Sequence, residues 1–462
     1  MASLHVADGS GAPARGSAAA ALEPVVTAML GGALPVAMRC WDGSRLGPPD
    51  ATCTLVVRSP LALRRLLWCP NELGVARAYV AGELDVEGDI FAGFAALRGV
   101  AAGEDESAGV GLDAAGWARA AAASARLGVL GPPLRPPREE ARLRGRRHSP
   151  GRDSAAVSHH YDVSNEFYRL VLGPSLTYSC AYFTAPDRTL EEAQEAKHAL
   201  IAAKLGLAPG MRLLDVGCGW GGMVLHAARH HGVSAVGITL SHEQARLARQ
   251  RVADAGLAGR IEVRVQDYRA VSDGPFDAIS SIGMFEHVGL ARLREYFAVL
   301  HRLLPPGGRL LNHAISRPSG RPSLDRHSFM GRYVFPDGEL HEVGTVVSGM
   351  QALGFEVRDV ESLREHYALT LRSWVANLDG AWDQAQASAG PARARIWRLY
   401  TAASALNFEA GRTSVHQVLG VREEAGGRSG MPLTRAEWLA GAPAPAGAPA
   451  VGSGRVPAHA TP

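Results

Sequence analysis

The residues whose types and spacing most clearly indicate chemistry form a glycine cluster near the middle of the chain. Apolar residues lead into the run from Asp215 to Gly222, and a helical pattern follows from Met223. Glycine has no Cβ, so it permits a sharp strand-to-helix turn and a close approach of the backbone to a ligand. The first N–H groups of the helix are unpaired and can bind that ligand. The cluster therefore predicts a nucleotide-type site at the carboxyl end of the first strand of a doubly wound sheet.

The glycine spacing alone leaves the ligand open. It also satisfies G-x-G-x-x-G, which is typical of dinucleotide oxidoreductases, and a glycine turn can lack a ligand altogether. The second strand ends at Thr239 rather than at the acidic residue that binds the ribose in a dinucleotide site. The third strand ends at Asp267, a position suited to recognition of adenine in a methyltransferase-type site. These two positions favour a nucleoside cofactor over a nicotinamide dinucleotide.

The elements that must position this turn alternate as strand and helix over residues 154–425. We predict helices over His242–Ala255 and Ala291–Leu304, and the Pro-Pro-Gly-Gly turn after Leu304 launches the last strand. The predicted strands are Arg212–Val216, Ser234–Thr239, Glu262–Gln266, Ala278–Ile282 and Gly308–Ala314. This order predicts an α/β domain, a Rossmann-like sheet with helices on both faces.

Outside this domain, the 462-residue sequence predicts two disordered tails and a second, smaller domain. Residues 1–20 and most of 426–462 are rich in small residues and are predicted to be disordered, and residues 21–105 read as a small α+β domain. Its segment Leu61–Trp68 is apolar with two arginines, which fits either a core helix with a solvated basic face or a helix on anionic headgroups.

An arginine- and proline-rich segment separates the two domains. We predict a linker over residues 106–153, because its prolines interrupt regular structure. Its basic residues are compatible with a solvated linker and also with binding to a phospholipid surface. The arginines concerned are Arg135, Arg138, Arg142, Arg144, Arg146 and Arg147.

Composition excludes several classes of protein. A net charge of +3 is too small to indicate a nucleic-acid partner. The five cysteines form no C-x-x-C pair, which argues against a disulfide framework and favours a reducing cytoplasm. The amino terminus does not read as a signal peptide, and no apolar run is long enough to span a bilayer. We therefore expect a protein that reaches any lipid from the membrane surface.

Six motifs in order then indicate a family. They occupy residues 157–165, 176–183, 213–222, 237–244, 283–288 and 366–371. With them the chain resembles the cyclopropane-fatty-acyl-phospholipid synthase family, which includes the mycolic acid cyclopropane synthases and fatty-acyl methyltransferases. Residues 34–96 also resemble the amino-terminal, lipid-binding domain of full-length bacterial synthases, a domain that the mycolic acid enzymes lack.

The resemblance implies S-adenosylmethionine as cofactor. It places Tyr178 and Ser179 at the methionine end, Thr239, Leu240 and Gln244 on the ribose side and Tyr268 beside the adenine. The full predicted cofactor set is Tyr178, Ser179, Asp215, Gly217, Gly219, Gly221, Thr239, Leu240, Gln244, Asp267 and Tyr268.

The resemblance also implies the reaction. A cis double bond attacks the sulfonium methyl, a carbocation forms on the acyl chain, and a base removes a proton from the transferred methyl. The site must be dry, since water would quench the cation. In the resembled family a bound bicarbonate is the base. The positions that match its site are Cys180, Gly283, Glu286, His313, Ile315 and Tyr367.

By the same resemblance, Cys180 and Ile315 donate backbone N–H groups to the anion, and Glu286 pairs with His313 to orient it and favour its proton. Taken singly, Cys180 and His313 also fit ordinary buried core positions. We predict no metal site, because His159 and His160 have no cysteine or carboxylate partner at ligand spacing.

The resemblance leaves several functions open. The favoured one is a peripheral enzyme on the inner face of the plasma membrane, with unsaturated phospholipid of the bilayer as its partner. The alternatives are a fatty-acyl methyltransferase that makes methyl- or methylene-branched chains, a nicotinamide oxidoreductase and an inactive lipid-binding relative. Whether the chain forms a homodimer stays open.

Overall fold

The computed structural model describes residues 16–101, 114–141, 152, 164–321, 323–325 and 327–440. Predictions for the first 15 residues, for Arg142 to Arg147, for His159 and His160, and for the chain beyond Ala440 lie outside the described residues. The described residues form two α/β units, an amino-terminal unit and a larger one that carries the glycine turn.

The amino-terminal unit is a four-stranded sheet in the order β2-β1-β3-β4. Strands β1 and β3 are parallel, and the other two pairings are antiparallel. Its elements are α1 (Ala18–Leu30), β1 (Ala37–Cys40), β2 (Arg45–Leu46), β3 (Cys53–Val57), α2 (Leu61–Trp68), α3 (Glu72–Val80), β4 (Leu84–Gly88) and α4 (Ile90–Ala101).

Part of the segment predicted as a linker is folded against this unit. It contains α5 (Ala114–Arg126), whose Ala120 and Ala123 share one hydrophobic cluster with Leu22 and Val25 of α1. The burial of small side chains allows the two helices to approach closely. The hydrophobic core of the amino-terminal unit therefore extends beyond residue 105.

The chain after α5 runs over α2 and uses its polar side chains. Arg64 Nε donates to Pro132 O at 2.9 Å, and Arg65 Nη1 donates to Arg135 O at 3.0 Å. Arg65 also pairs with Glu83 at 2.7 Å. The two arginines that the sequence assigned to a solvated face or to headgroups therefore bind the linker backbone and an acidic neighbour.

The larger unit is built on a seven-stranded sheet in the order β10-β11-β9-β8-β5-β6-β7. Strands β5 to β9 are parallel, and β11 pairs antiparallel with both β9 and β10. The strands are β5 (Arg212–Val216), β6 (Ser234–Thr239), β7 (Ile261–Val265), β8 (Ala278–Ile282), β9 (Arg309–Ser316), β10 (Phe355–Ser362) and β11 (Ser414–Arg422). Each of the five predicted strands begins within one residue of its observed start.

The helices of this unit lie on both faces of the sheet, which confirms the predicted fold class. Successive side chains of β5 are buried on opposite faces, Leu213 in one cluster with Leu205 and Val224 and Leu214 in another with Phe297 and Met350. The helices are α6 (Asn165–Leu172), α7 (Leu190–Leu205), α8 (Gly222–His231), α9 (His242–Asp254), α10 (Leu293–Leu303), α11 (Val343–Gln351), α12 (Arg364–Gly380), α13 (Trp382–Ala389), α14 (Pro391–Glu409) and α15 (Arg435–Trp438).

Helices α6, α12, α13 and α14 form a further layer with its own hydrophobic cluster, which includes Trp374 and Trp397. This layer also joins the two units. Arg398 of α14 donates to Val86 O of β4 at 3.0 Å and pairs with Asp379 at 2.6 Å. Within the described residues, no helix combines the length and the apolar character that crossing a membrane requires.

Candidate active site

A cavity of about 1180 Å³, including the solvent at its mouth, opens at the carboxyl ends of β5, β6 and β7, next to the glycine turn. Ten of the eleven predicted cofactor residues line it. They are Tyr178, Ser179, Asp215, Gly217, Gly219, Thr239, Leu240, Gln244, Asp267 and Tyr268. The eleventh, Gly221, is the N-cap residue immediately before α8, so it shapes the turn.

The backbone of the turn explains why glycines stand here. Gly217, Gly219 and Gly221 have φ of 79°, 53° and 82°, in the left-handed region that side chains disfavour. A Cβ on Gly217 would also lie 3.0 Å from the side chain of Met284 across the cavity. Glycine at this position therefore allows the turn after β5 to pack closely against Met284 at the edge of the cavity.

The polar residues at the ends of β6 and β7 are already ordered. Thr239 Oγ1 donates to Gln244 Oε1 at 2.8 Å, so this pair presents fixed groups to the cavity. Asp267 accepts from the Arg269 guanidinium at 2.6 Å. Burial alone would raise the pKa of Asp267, but the hydrogen bonds from Arg269 lower it, and the carboxylate is ionised at neutral pH. Tyr268 packs edge-on against Tyr296.

Two buried polar side chains of α7, which the sequence analysis missed, hold the opposite wall. Lys197 Nζ donates to Ser179 Oγ at 3.1 Å, and Gln194 Nε2 donates to Ser179 O at 2.9 Å. Burial lowers the pKa of Lys197 to about 7 and raises that of Asp215 to about 6. The sequence did contain a signal for them, because Gln194 and Lys197 lie among apolar residues on the buried face of α7.

A second cavity of about 890 Å³, again including the solvent at its mouth, adjoins the first, and both are lined by Tyr178, Ser179, Gly283 and His287. All six residues predicted to be catalytic line this second cavity, namely Cys180, Gly283, Glu286, His313, Ile315 and Tyr367. Its other walls are largely apolar and include Leu324, Met330, Phe335, Leu371, Phe408 and Val415. An apolar chamber next to a nucleoside-sized cavity can shelter a reactive hydrocarbon from water.

The predicted hydrogen bond between Glu286 and His313 is wrong. The pairing of β9 with β11 sets His313 opposite Gln417, and Gln417 Nε2 donates to His313 Nδ1 at 3.2 Å. Glu286 Oε1 instead accepts the backbone N–H of Ile315 at 2.6 Å. The Ile315 N–H is therefore not free for an anion, as the sequence analysis had expected.

Each of these two side chains keeps one buried atom without a partner among the described residues. The atoms are Glu286 Oε2 and His313 Nε2. With the Gln417 amide in this orientation its Nε2 donates to Nδ1, which assigns the ring proton of a neutral His313 to Nε2 and makes that atom a donor. Burial raises the pKa of Glu286 to about 7 and, with nearby Lys197 and Lys204, lowers that of His313 well below its usual range. His313 is therefore neutral, contrary to the expected protonated state.

The remaining predicted residues serve as walls. The Cys180 thiol is fully buried, lies 3.2 Å from Ala181 O, and burial raises its pKa far above neutrality. A thiol that stays protonated is a poor nucleophile, so Cys180 does not act as one. Tyr367 is buried and packs against Phe408 with ring centroids 4.7 Å apart.

The strand order, the glycine turn at β5 and the cavity beyond it define a class I methyltransferase that uses S-adenosylmethionine. Comparison with known proteins agrees. The sequence profile described as mycolic acid cyclopropane synthetase matches residues 148–418, more than half of the chain. The chain belongs to this family.

Individual relatives fall into two groups by coverage. A probable fatty acid methyltransferase of Mycobacterium tuberculosis is 44% identical over 407 residues, 86% of this chain and 94% of its own length. Cyclopropane mycolic acid synthase 3 of the same organism is 39% identical over 272 residues, 56% of this chain and 94% of its own. The crystal structure of mycolic acid cyclopropane synthase CmaA1 complexed with SAH and CTAB is 39% identical, with a TM-score of 0.55 over 58% of this chain and 97% of that one.

Proposed function

We propose that the protein transfers a methylene group from S-adenosylmethionine to the cis double bond of an unsaturated phospholipid acyl chain, which yields a cyclopropane ring. The observation that carries this proposal is the pair of adjoining cavities. One suits a nucleoside methyl donor, and the other is largely apolar and is lined by residues with buried polar atoms that lack a partner among the described residues, including Glu286 Oε2 and His313 Nε2. The relatives named for fatty acid and mycolic acid modification support lipid acyl chains as the substrate class.

The proposed reaction forms and breaks a defined set of bonds. The alkene carbon bonds to the sulfonium methyl while the sulfur–carbon bond breaks, and the positive charge moves to the acyl chain. Loss of a methyl proton then closes the ring. Residues of the chamber support this in two ways, because apolar walls exclude water and aromatic faces stabilise a cation. Tyr178 and Tyr400, which share a 2.9 Å hydrogen bond, provide such faces.

No side chain of the chamber is an obvious base for the methyl proton, and we propose that a bound bicarbonate supplies that basicity. The unpaired atoms fit this anion. His313 Nε2–H can donate to one of its oxygens, and Glu286 Oε2 can accept its proton. Cys180 borders the same space. In this arrangement Glu286 and His313 hold and orient the anion separately rather than as a hydrogen-bonded pair.

We further propose that the protein acts as a peripheral enzyme on the inner face of the plasma membrane. Leu61 and Trp68 lie two helical turns apart on one side of α2 and are 37% and 58% exposed. Trp68 Nε1 donates to Gly131 O, which places Leu130, also 58% exposed, beside them. We call Leu61, Trp68 and Leu130 the apolar surface. An exposed tryptophan with aliphatic neighbours suits insertion at the headgroup boundary.

A turnover assay tests the proposed function. The purified protein is incubated with S-adenosylmethionine, bicarbonate and vesicles of either a monounsaturated or a fully saturated phosphatidylglycerol, and S-adenosylhomocysteine release is measured. We expect release only with the unsaturated lipid. Equal release with both lipids, or none with protein that binds S-adenosylhomocysteine, would contradict the proposal.

A second candidate function is a fatty-acyl methyltransferase that gives methyl- or methylene-branched chains. This function is supported by how much of the chain each relative matches. The probable fatty acid methyltransferase matches 86% of this chain, whereas the mycolic acid enzyme matches 56%. Both functions share the carbocation and differ in which proton is lost. Only the structure of the product separates them.

A further inference from the structure

A cluster of metal-binding side chains lies between α7 and α8, outside the residues assigned above. Glu195 and His198 are three residues apart on α7, and His226 and His230 are four apart on α8. Such spacings place side chains on one face of a helix. Ligand atoms of Glu195, His198 and His226 lie within 4.8 Å of one another.

The central member of the cluster has an unused ligand atom. His226 is only 6% exposed, and its Nε2 has no hydrogen-bond partner among the described residues. Its Nδ1 lies 2.8 Å from Glu195 Oε1. The same carboxylate oxygen lies 3.4 Å from His230 Nε2. A buried nitrogen without a partner is costly unless something binds it, so it points to a missing ligand.

We propose that Glu195, His198 and His226 form a binding site for a zinc ion. Two imidazoles and one carboxylate are a ligand set that zinc accepts, whereas calcium and magnesium prefer oxygen ligands alone. Ligand distances of about 2.1 Å put the ligand atoms about 3.4 Å apart around a tetrahedral ion. Nε2 of His226 lies across the ring from Nδ1, so Glu195 must leave its 2.8 Å contact with Nδ1 to reach an ion held by Nε2, and it can move because its side chain is 58% exposed. His230, 48% exposed, is near enough to complete the coordination.

The position of the site suggests its consequence. His198 also lines the cofactor cavity, and its neighbour Lys197 and nearby Gln194 hold the loop at Ser179. An ion bound here would cross-link α7 and α8 behind that cavity. Zinc is therefore expected to stabilise the folded protein by mass action, which gives a readout independent of catalysis.

At His159 and His160 no cysteine or carboxylate stands at metal-ligand spacing, so the sequence predicts no metal site there. The relevant pattern, E-x-x-H on one predicted helix and H-x-x-x-H on the next, was present in the sequence. The pattern did not indicate a site because the sequence of each helix alone does not show that the two helices pack against each other.

The test uses the full chain stripped of metal with a chelator and then titrated with zinc chloride by calorimetry. Bound zinc is counted by elemental analysis, and cobalt(II) serves as a spectroscopic substitute whose visible absorption reports its coordination. The variants are Glu195→Gln, His198→Gln and His226→Gln. The matched control is His242→Gln, an exposed histidine at the start of α9. Far-ultraviolet circular dichroism verifies that each variant is folded, because His198 lines the cofactor cavity and its replacement can affect cofactor binding directly.

We expect one zinc per chain, a higher melting temperature with zinc, and at least a 10-fold loss of affinity in each of the three variants but not in the control. Glu195→Gln carries the test if a buried histidine variant fails to fold, because its side chain is more than half exposed. No stoichiometric zinc binding, or binding that Glu195→Gln leaves unchanged, would overturn the proposal.

Discussion

Replacing Glu286 with glutamine removes a carboxyl group that the fold buries at a cost. Burial raises its pKa from 4.5 to about 7. Below the unfolded pKa the carboxyl is protonated in both states and the cost is absent. As the pH rises through the folded pKa, the ionised form must be buried and stability is lost. One pKa unit corresponds to about 1.4 kcal/mol, so the loss amounts to about 3 kcal/mol.

Glutamine keeps the shape of the side chain and an oxygen that can accept the Ile315 N–H, but it cannot ionise. At about pH 5 a part of this loss has already occurred, so relative to the wild type we expect Glu286→Gln to gain about 2.5 kcal/mol of unfolding free energy between about pH 5 and about pH 8.5. The variant is also expected to lose most activity while it still binds S-adenosylhomocysteine. The carboxyl group of Glu286 would therefore lower the stability of the protein while supporting its activity.

The assay is urea unfolding followed by tryptophan fluorescence, for both proteins at both pH values. At each pH the unfolding free energy of the wild type is subtracted from that of the variant, which cancels the contribution of other groups that titrate over this range. Asp267→Asn is a suitable control, because hydrogen bonds from Arg269 lower the pKa of Asp267 and its ionisation is complete before this window. The reasoning is refuted if the Glu286→Gln difference from the wild type is the same at both pH values.

Three further substitutions probe the two cavities and the apolar surface. Gly217→Ala should abolish the binding of S-adenosylhomocysteine measured by calorimetry, because the added Cβ strains a backbone at φ 79° and contacts Met284. The control Gly210→Ala has a similar φ of 88° but nothing within 4 Å of its added Cβ, and it should retain binding. His313→Gln should reduce turnover at least 100-fold with cofactor affinity within about 2-fold, and equal rates would remove it from the anion site. Trp68→Ala should weaken vesicle sedimentation several-fold, unlike the 93%-exposed control Leu433→Ala.

Strands β5 and β6 were predictable because they are parallel and largely buried, so each reads as a short mainly apolar run between turn residues. Strand β7 lies at the edge of the sheet and instead alternates apolar with charged residues, which is the other pattern of a strand. The glycine turn then fixed where β5 ends and α8 begins. The cofactor cavity follows from those two elements. Ten of its predicted residues line it for this reason.

The second cavity was harder to predict because its hydrogen bonds cross long stretches of sequence. Gln417 lies 104 residues after His313, and only the register between β9 and β11 brings them together. The contact between α2 and residues 131–135 was hard to predict for the same reason. The arginines of α2 bind backbone carbonyl groups about 70 residues further along the chain, and no side-chain pattern in the sequence indicates which carbonyl groups lie nearby.

The central claim is that the adjoining cavities bring a sulfonium methyl to an acyl double bond and that the cation then closes to a ring. The most direct measurement uses S-adenosylmethionine with a fully deuterated methyl group and vesicles of one defined monounsaturated phospholipid, followed by mass spectrometry and NMR of the acyl chain. We predict a chain that has gained one carbon with two of the three deuteriums, both on a cyclopropane carbon. A product that retains all three deuteriums, or carries its label on a branched methyl or methylene carbon, would contradict ring closure.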